Sequence, residues 1–277
     1  MSDAAQSSPP ATGAIRACLV AIACLARSLP LFFRASPRTP LRALGIVALD
    51  IIHVTRHARR LAPRTVSEMA LLLDLEGCAN KAWDRKGGGD LDYQAIRWQL
   101  TRAGLQEYMV EYLERLAAVE RQRPPAGGDR RRFDAVREYR EAVVRLALAT
   151  VAARALEGGR LEDGILAVCS DRDVETVFRI GMQCQIMDDL LDYPKDAAAG
   201  LPGFMTATAS LPDAMELTFG AVRSYAAAGA RSSEPALLPL RIALVLVTAA
   251  TRLVAAAAAL RYRVLRSAPI ATVSEAE

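Results

Sequence analysis

Residues 172–196 read RDVETVFRIGMQCQIMDDLLDYPKD, a segment largely apolar in its later turns that ends in Gln185, Asp188, Asp189 and Asp192, with Asp196 just beyond. At about 100° per residue, Asp192 lies about 40° from Asp188 and Asp196 about 80° from it, so a helix carries these three carboxylates on one face. Carboxylates that close repel one another and destabilise a helix unless something cationic sits among them. At a helix C-terminus they also oppose the macrodipole, which weighs against reading them as a plain solvated helix end. A hard divalent cation answers both problems, and Mg²⁺ takes a few carboxylates together with substrate phosphates. Pro194 kinks or ends the helix and loosens the position of Asp196.

The rest of the chain reads helical as well. Ala, Leu and Arg dominate, and alternating runs of β-branched residues are nearly absent. Turn residues at Ser36-Pro37, Pro63, Gly87–Gly89, Pro124-Pro125, Gly158-Gly159, Gly200–Pro202 and Ser232–Pro235 divide it into segments 41–61, 66–86, 92–120, 133–157, 161–169, 172–193, 211–229 and 236–267. Helices without strands imply an all-α single bundle over residues 13–267, with its site built from facing side chains. Residues 1–12 and 268–277 read as disordered tails.

Composition narrows the function classes. The 277 residues are 52% hydrophobic and 24% charged, with a net charge of +4, which excludes disorder for most of the chain. Five cysteines without a CxxC pair fit free thiols in a reducing compartment better than bridges or a zinc site. The basic balance comes mainly from Arg, which suits an anionic small molecule. The Asp129–Arg132 cluster reads as a loop, and no nucleic-acid motif is visible, so nucleic acid is not an expected partner. Residues 17–33 are broken by Arg27 and Pro30. Residues 242–260 carry Arg252 near their middle, where lipid would exact about 3 kcal/mol, so they read as a long buried helix and not as a membrane span. Without a convincing signal peptide, the expected location is the cytoplasm, with contact to a membrane at most peripheral.

A diphosphate–metal site in a bundle needs a second acidic wall, and segment 66–86 offers Asp74, Glu76, Asn80 and Asp84. With Asp74 at zero, Asn80 falls at about 240° and Asp84 at about 280°, a shared arc with Glu76 at its edge; a solvated acidic face is an equal alternative. Arg85 and Lys86 follow, either at the mouth of a cleft as phosphate ligands or as a basic helix end before a Gly stop. His53 and His57, four residues apart among Arg56, Arg59 and Arg60, read as a basic stripe.

The run Gly181–Asp192 resembles the second aspartate-rich motif of trans-prenyl diphosphate synthases, GxxxQxxDDxxD. Its continuation through Asp196 to Gly200 is similar to the NxxxDxxxD motif of squalene/phytoene synthases and to the second metal motif of terpene cyclases. All belong to the class I isoprenoid synthase superfamily. The resemblance covers about 24 residues strongly, and the spacing of roughly 114 residues from Asp74 to Asp188 is also similar. It implies a bundle with a central apolar cavity and Mg²⁺ held by Asp188, Asp189, Asp192 and Asp196 on one side and Asp74, Asn80 and Asp84 on the other. Gln185, Asp188 and Asp192 would then be the catalytic constellation. Arg85, Lys86, Arg140 or Arg145, and the pair Arg261-Tyr262 are similar to diphosphate-binding positions. The doubled aspartate of the family's first motif is missing, with Glu76 and Asn80 in its place.

The implied activity is Mg²⁺-dependent ionisation of a ten- to twenty-carbon prenyl diphosphate, followed by transfer of the allylic cation to a second isoprenoid. Cyclisation of a single substrate is the alternative, and a catalytically inactive homologue that binds prenyl diphosphate and regulates a partner is the third reading. Homodimers are common in the resembled families and are an expectation by analogy.

Overall fold

A computed structural model describes residues 39–84, 91–156, 159–227 and 238–267, with positions 15, 19, 22 and 23. The expectations for residues 1–12 and 268–277 and for Arg85 and Lys86 lie outside the described residues. Among the described residues the chain is 84% helix, with ten helices and no strand. In chain order these are α1 (Thr39–His57), α2 (Pro63–Asp84), α3 (Leu91–Arg102), α4 (Gln106–Glu120), α5 (Arg130–Leu156), α6 (Leu161–Ser170), α7 (Arg172–Leu191), α8 (Tyr193–Ala199), α9 (Leu211–Ala227) and α10 (Leu238–Ser267).

The segment expected as one helix over 92–120 is two. Gly104 adopts φ 74°, and the Gly104 and Leu105 amides donate back to Thr101 O and Leu100 O at 3.1 and 2.9 Å. That pattern closes a helix with a left-handed residue, which glycine adopts without steric penalty.

Helix α5 is the axis of the bundle. Leu148 to Ala153 are buried without interruption, so this stretch is surrounded on all sides. It packs against α1, α2, α4, α6, α7 and α9. Helices α2 and α7, which carry the two acidic segments, therefore both lean on α5. One apolar cluster runs from Ile46 on α1 to Ala255 on α10 through Leu72, Leu116, Val151, Met182 and Phe204.

The long buried helix expected over 242–260 is buried on one face only. In α10, Leu240, Leu244, Thr248, Thr251 and Ala255 face the protein, while Ile242, Val245, Leu246, Leu253 and Leu260 are 45–72% exposed. The physical reason is coverage: α7 and α9 pack on one side, and nothing among the described residues packs on the other. The Thr251 hydroxyl faces Gln183 O of α7 at 3.3 Å and Val247 O at 2.8 Å. By length and a mean hydropathy of 2.1, this helix is also long and apolar enough to cross a membrane.

A buried charge joins α2 to α5. Glu68 is 4% exposed and is paired with Arg154 of α5 and with Arg64 one turn earlier. Burial pushes the Glu68 carboxyl up, but the hydrogen bonds from Arg154 and Arg64 outweigh it and hold it below the ordinary glutamate value. Since the folded value lies below the unfolded one, this stabilisation is present above pH 4.5 and fades as pH falls through the folded value. Replacing Glu68 by Gln should cost about 3 kcal/mol at pH 7, because Arg154 loses its buried counter-charge. Denaturant unfolding at pH 7 and pH 4 measures this, with a smaller gap between variant and wild type expected at the lower pH.

Candidate functional site

Helix α7 is fixed at both ends. At its start, the Asp171 side chain accepts from the Asp173 amide at 2.9 Å, and Arg56 of α1 spans Asp171 and Asp173 at 2.7 Å each. The basic stripe of α1 is thereby used in part to pin the α7 N-terminus. Its other end stops at Asp192 (φ −88°, ψ 1°), where Tyr193-Pro194 opens α8. Pro194 ends the helix but starts the next one, and the Asp196 amide still reaches Asp192 O at 2.9 Å. Asp188 is exposed, Asp192 is half-buried and paired with Lys195 at 3.2 Å, and Asp196 is 8% exposed.

Asp189 is 2% exposed and is the hub of the site. Its Oδ1 accepts from Arg140 Nη2 of α5 at 3.0 Å and from Gln185 Nε2 at 2.7 Å, and its Oδ2 accepts from the Phe204 amide at 2.8 Å. Gly203 lets the loop come this close: a Cβ there would lie 2.8 Å from Asp189 Oδ2. Burial pushes the Asp189 carboxyl up, while Arg140, the Phe204 amide and Gln185 pull it down. Burial opposes the Arg140 charge too, but Asp189, Tyr139, Asp196 and Asp84 together hold its proton more firmly than usual. Arg140 Nε is buried with no hydrogen-bond partner.

The loop that Asp189 holds was invisible in the sequence, where it read only as turn punctuation. Residues 202–208 are non-helical and buried, with Phe204 fully inside and edge-on to Phe133 at 5.6 Å. Its polar groups are satisfied locally and across the bundle. The Gly127 amide donates to Thr206 O at 2.7 Å, the Ala209 amide to Gly128 O at 2.9 Å and the Gly203 amide to Thr206 Oγ1 at 2.7 Å. Apolar Phe204-Met205 flanked by Thr206 and Thr208 was the available signal.

A second polar chain joins the end of α2 to this site. Asp84 pairs with Arg123 at 3.1 Å, Arg123 pairs with Glu120 at 2.6 Å, and the Tyr139 hydroxyl donates to Glu120 at 2.9 Å. Tyr139 precedes Arg140, so the chain ends beside the Asp189 pair. Glu120 and Arg123 had not been singled out in the sequence, because an acid and an arginine three residues apart at a helix end look like surface charge.

Among the other expected residues, Tyr262 packs edge-on against Tyr193 at 5.2 Å, which brings the end of α10 beside Asp192, and Arg261 is exposed. Arg145 does not join the acids: its guanidinium stacks over Phe178 at 3.9 Å and reaches Glu141 at 3.5 Å, about 15 Å back along α7 from Asp188. Asp74 and Asn80 are half-buried on α2, and Glu76 is buried there and acts electrostatically on Tyr108 and Tyr112 of α4.

Among the described residues no three Asp, Glu, His or Cys side chains converge as a preformed metal site. The donor chemistry at the α7–α8 junction still suits a hard cation. Burial, followed by Asp189 and Asp192, raises the Asp196 carboxyl to about 6 against the pull of Arg140. A divalent ion bound by oxygens relieves that crowding.

Removing the hub should be costly. Asp189→Ala leaves the half-buried Arg140 without its counter-charge and the buried Phe204 amide without its acceptor, an expected loss of about 3 kcal/mol. Thermal unfolding checks this, and limited proteolysis should show earlier cutting within 201–210 than in the wild type. Asp188→Ala, at an exposed position, should cost far less.

Compared with family models, curated proteins and solved structures, the chain matches none.

Proposed function

We propose that this chain is a Mg²⁺-dependent class I isoprenoid synthase that ionises an allylic prenyl diphosphate and transfers the resulting cation to a second isoprenoid. The observation that carries the reading is the gathering of charge at one end of the bundle. Asp188, Asp192 and Asp196 collect at the α7–α8 junction, Arg140 is half-buried against Asp189, and Asp84 at the end of α2 acts on the same guanidinium. Asp188, Asp192 and Asp196 would hold the metal, with Asp84 the nearest contribution from the second wall. Bound Mg²⁺ supplies positive charge that neutralises the departing diphosphate.

The protein's own residues do the rest. Asp189 and Gln185 position the end of α7 and the loop 201–210 by their hydrogen bonds, and Arg140 offers a guanidinium whose Nε is unsatisfied. A planar cation with a spare donor suits a phosphate oxygen. The reading also calls for an apolar cavity beneath the acids that excludes water around the allylic chain, with walls from α2, α5 and α7. The depression of about 700 Å³ lined by Thr101, Gln106 and Glu114 lies on α3 and α4 and is not that cavity.

A second reading has one observation in its favour. Asp84 is paired with Arg123 and the doubled aspartate is missing from α2, so the first acidic wall is thin, and a protein that binds prenyl diphosphate without ionising it, as a regulatory partner, needs only the α7 side. Diphosphate release from geranyl, farnesyl and geranylgeranyl diphosphate, with and without Mg²⁺ and isopentenyl diphosphate, separates the readings. Release that requires Mg²⁺ and falls at least about 100-fold in Asp188→Ala is the expected result, since even residues behind metal ligands contribute about 10–100-fold. A longer or coupled product marks transfer, and a hydrocarbon or alcohol from one substrate marks cyclisation. Binding without turnover would move the assignment to the regulatory reading.

A further inference from the structure

Helix α10 is two-sided in an unusual sense: both faces are apolar. The inner one packs on α7 and α9, and the outer one carries Ile242, Val245, Leu246, Leu253 and Leu260 in the open. At about 100° per residue these five, with the alanines between them, fill an arc about 120° wide. Exposed arginines border it on both sides: Arg252 lies about 20° beyond one edge, and Arg261 about 40° beyond the other. The helix holds five arginines (241, 252, 261, 263 and 266) and no acid along its whole length.

We propose that the outer face of α10 is a docking surface for an anionic lipid bilayer, on which the helix lies in the plane of the interface. An apolar arc edged by arginines is the pattern of an interfacial helix: the aliphatic side chains enter the boundary between headgroups and acyl chains, and the guanidiniums meet lipid phosphates. Charge argues against a second copy on the same face, because two such helices packed together would bring their arginine edges into register with no acid on either to answer them. Packing argues against a membrane crossing. The inner face, with Leu244, Thr251 and Ala255, is buried against the protein, and Thr251 is bonded to Gln183 O of α7; spanning would strip α10 from the core. Arg252 would also sit near the bilayer centre. The positions described near the N-terminus have related chemistry: Ile15, Leu19 and Ile22 are exposed at helical spacing, in a stretch with no acid between Asp3 and Asp50. The proposal is independent of whether the α7–α8 acids perform chemistry.

Co-sedimentation of the full chain with vesicles tests it, using phosphatidylcholine alone and phosphatidylcholine mixed with phosphatidylglycerol. Binding to the mixed vesicles, weakened by salt and released by alkaline carbonate, is expected. Arg252→Gln should weaken it about five-fold. Leu246→Asp combined with Leu253→Asp should abolish it while leaving the melting temperature unchanged; Val245→Ser with Leu260→Ser serves if that pair fails to fold. Absence of binding to the mixed vesicles, equal binding to neutral ones, or binding that survives both substituted pairs overturns the proposal. So does retention after carbonate, which would mean a spanning helix. A dimer that becomes monomeric in the Leu246/Leu253 variant, with no lipid affinity in the wild type, assigns the face to a second copy and overturns it too.

Discussion

The charge pair between Asp189 and Arg140 organises the α7–α8 end of the bundle. One carboxylate, almost fully removed from water, accepts hydrogen bonds from three parts of the chain: Arg140 of α5, Gln185 one turn back on α7, and the Phe204 amide of a loop folded into the core. A buried ion pair stabilises a fold only when its geometry is good and its remaining lone pairs are used, and here both carboxylate oxygens are used. The pair therefore acts less as a source of net stability than as a specification. It sets how α7 sits on α5 and where residues 202–208 enter.

The same arrangement divides the four acids of α7 and α8 by role. Asp189 points inward and is spent on structure. Asp188, Asp192 and Asp196 stay at the junction of the two helices with progressively less exposure, close enough that Asp196 feels both Asp189 and Asp192. A doubled aspartate in sequence is thus divided in space, with Asp188 exposed and Asp189 buried and hydrogen-bonded. On a helix, neighbours point about 100° apart, which here leaves one of the pair inward and the other outward.

Much of this was legible before any coordinates. The helical character followed from composition and from the lack of strand patterning. The helix break at Pro194 followed from the missing amide of proline, although its second effect, starting α8 and keeping Asp196 beside α7, needed the backbone path. Three things were not legible. Gly104 alone gave no warning of a helix stop, because an isolated glycine within a helical pattern is tolerated as often as it terminates one. The loop 201–210 has the residues of a surface turn, and only the hydrogen bonds to Gly127, Gly128 and Asp189 show how its backbone survives burial. The outer face of α10 read as core because periodicity reports that a face is apolar and says nothing of whether a neighbour exists to cover it.

The buried loop also bears on how the chain folds. Its backbone contacts join Thr206 to Gly127 and Ala209 to Gly128, pairs about 80 residues apart in sequence. Contacts of that separation close a loop that holds all of α5, α6, α7 and α8, and they carry its closure entropy. Docking of the loop is then a late event, and until it happens Asp189 keeps one oxygen in water and Phe204 lies outside the core. Native topology here is completed by a clasp that closes last, so loss of the clasp would first register as faster unfolding and not as slower folding.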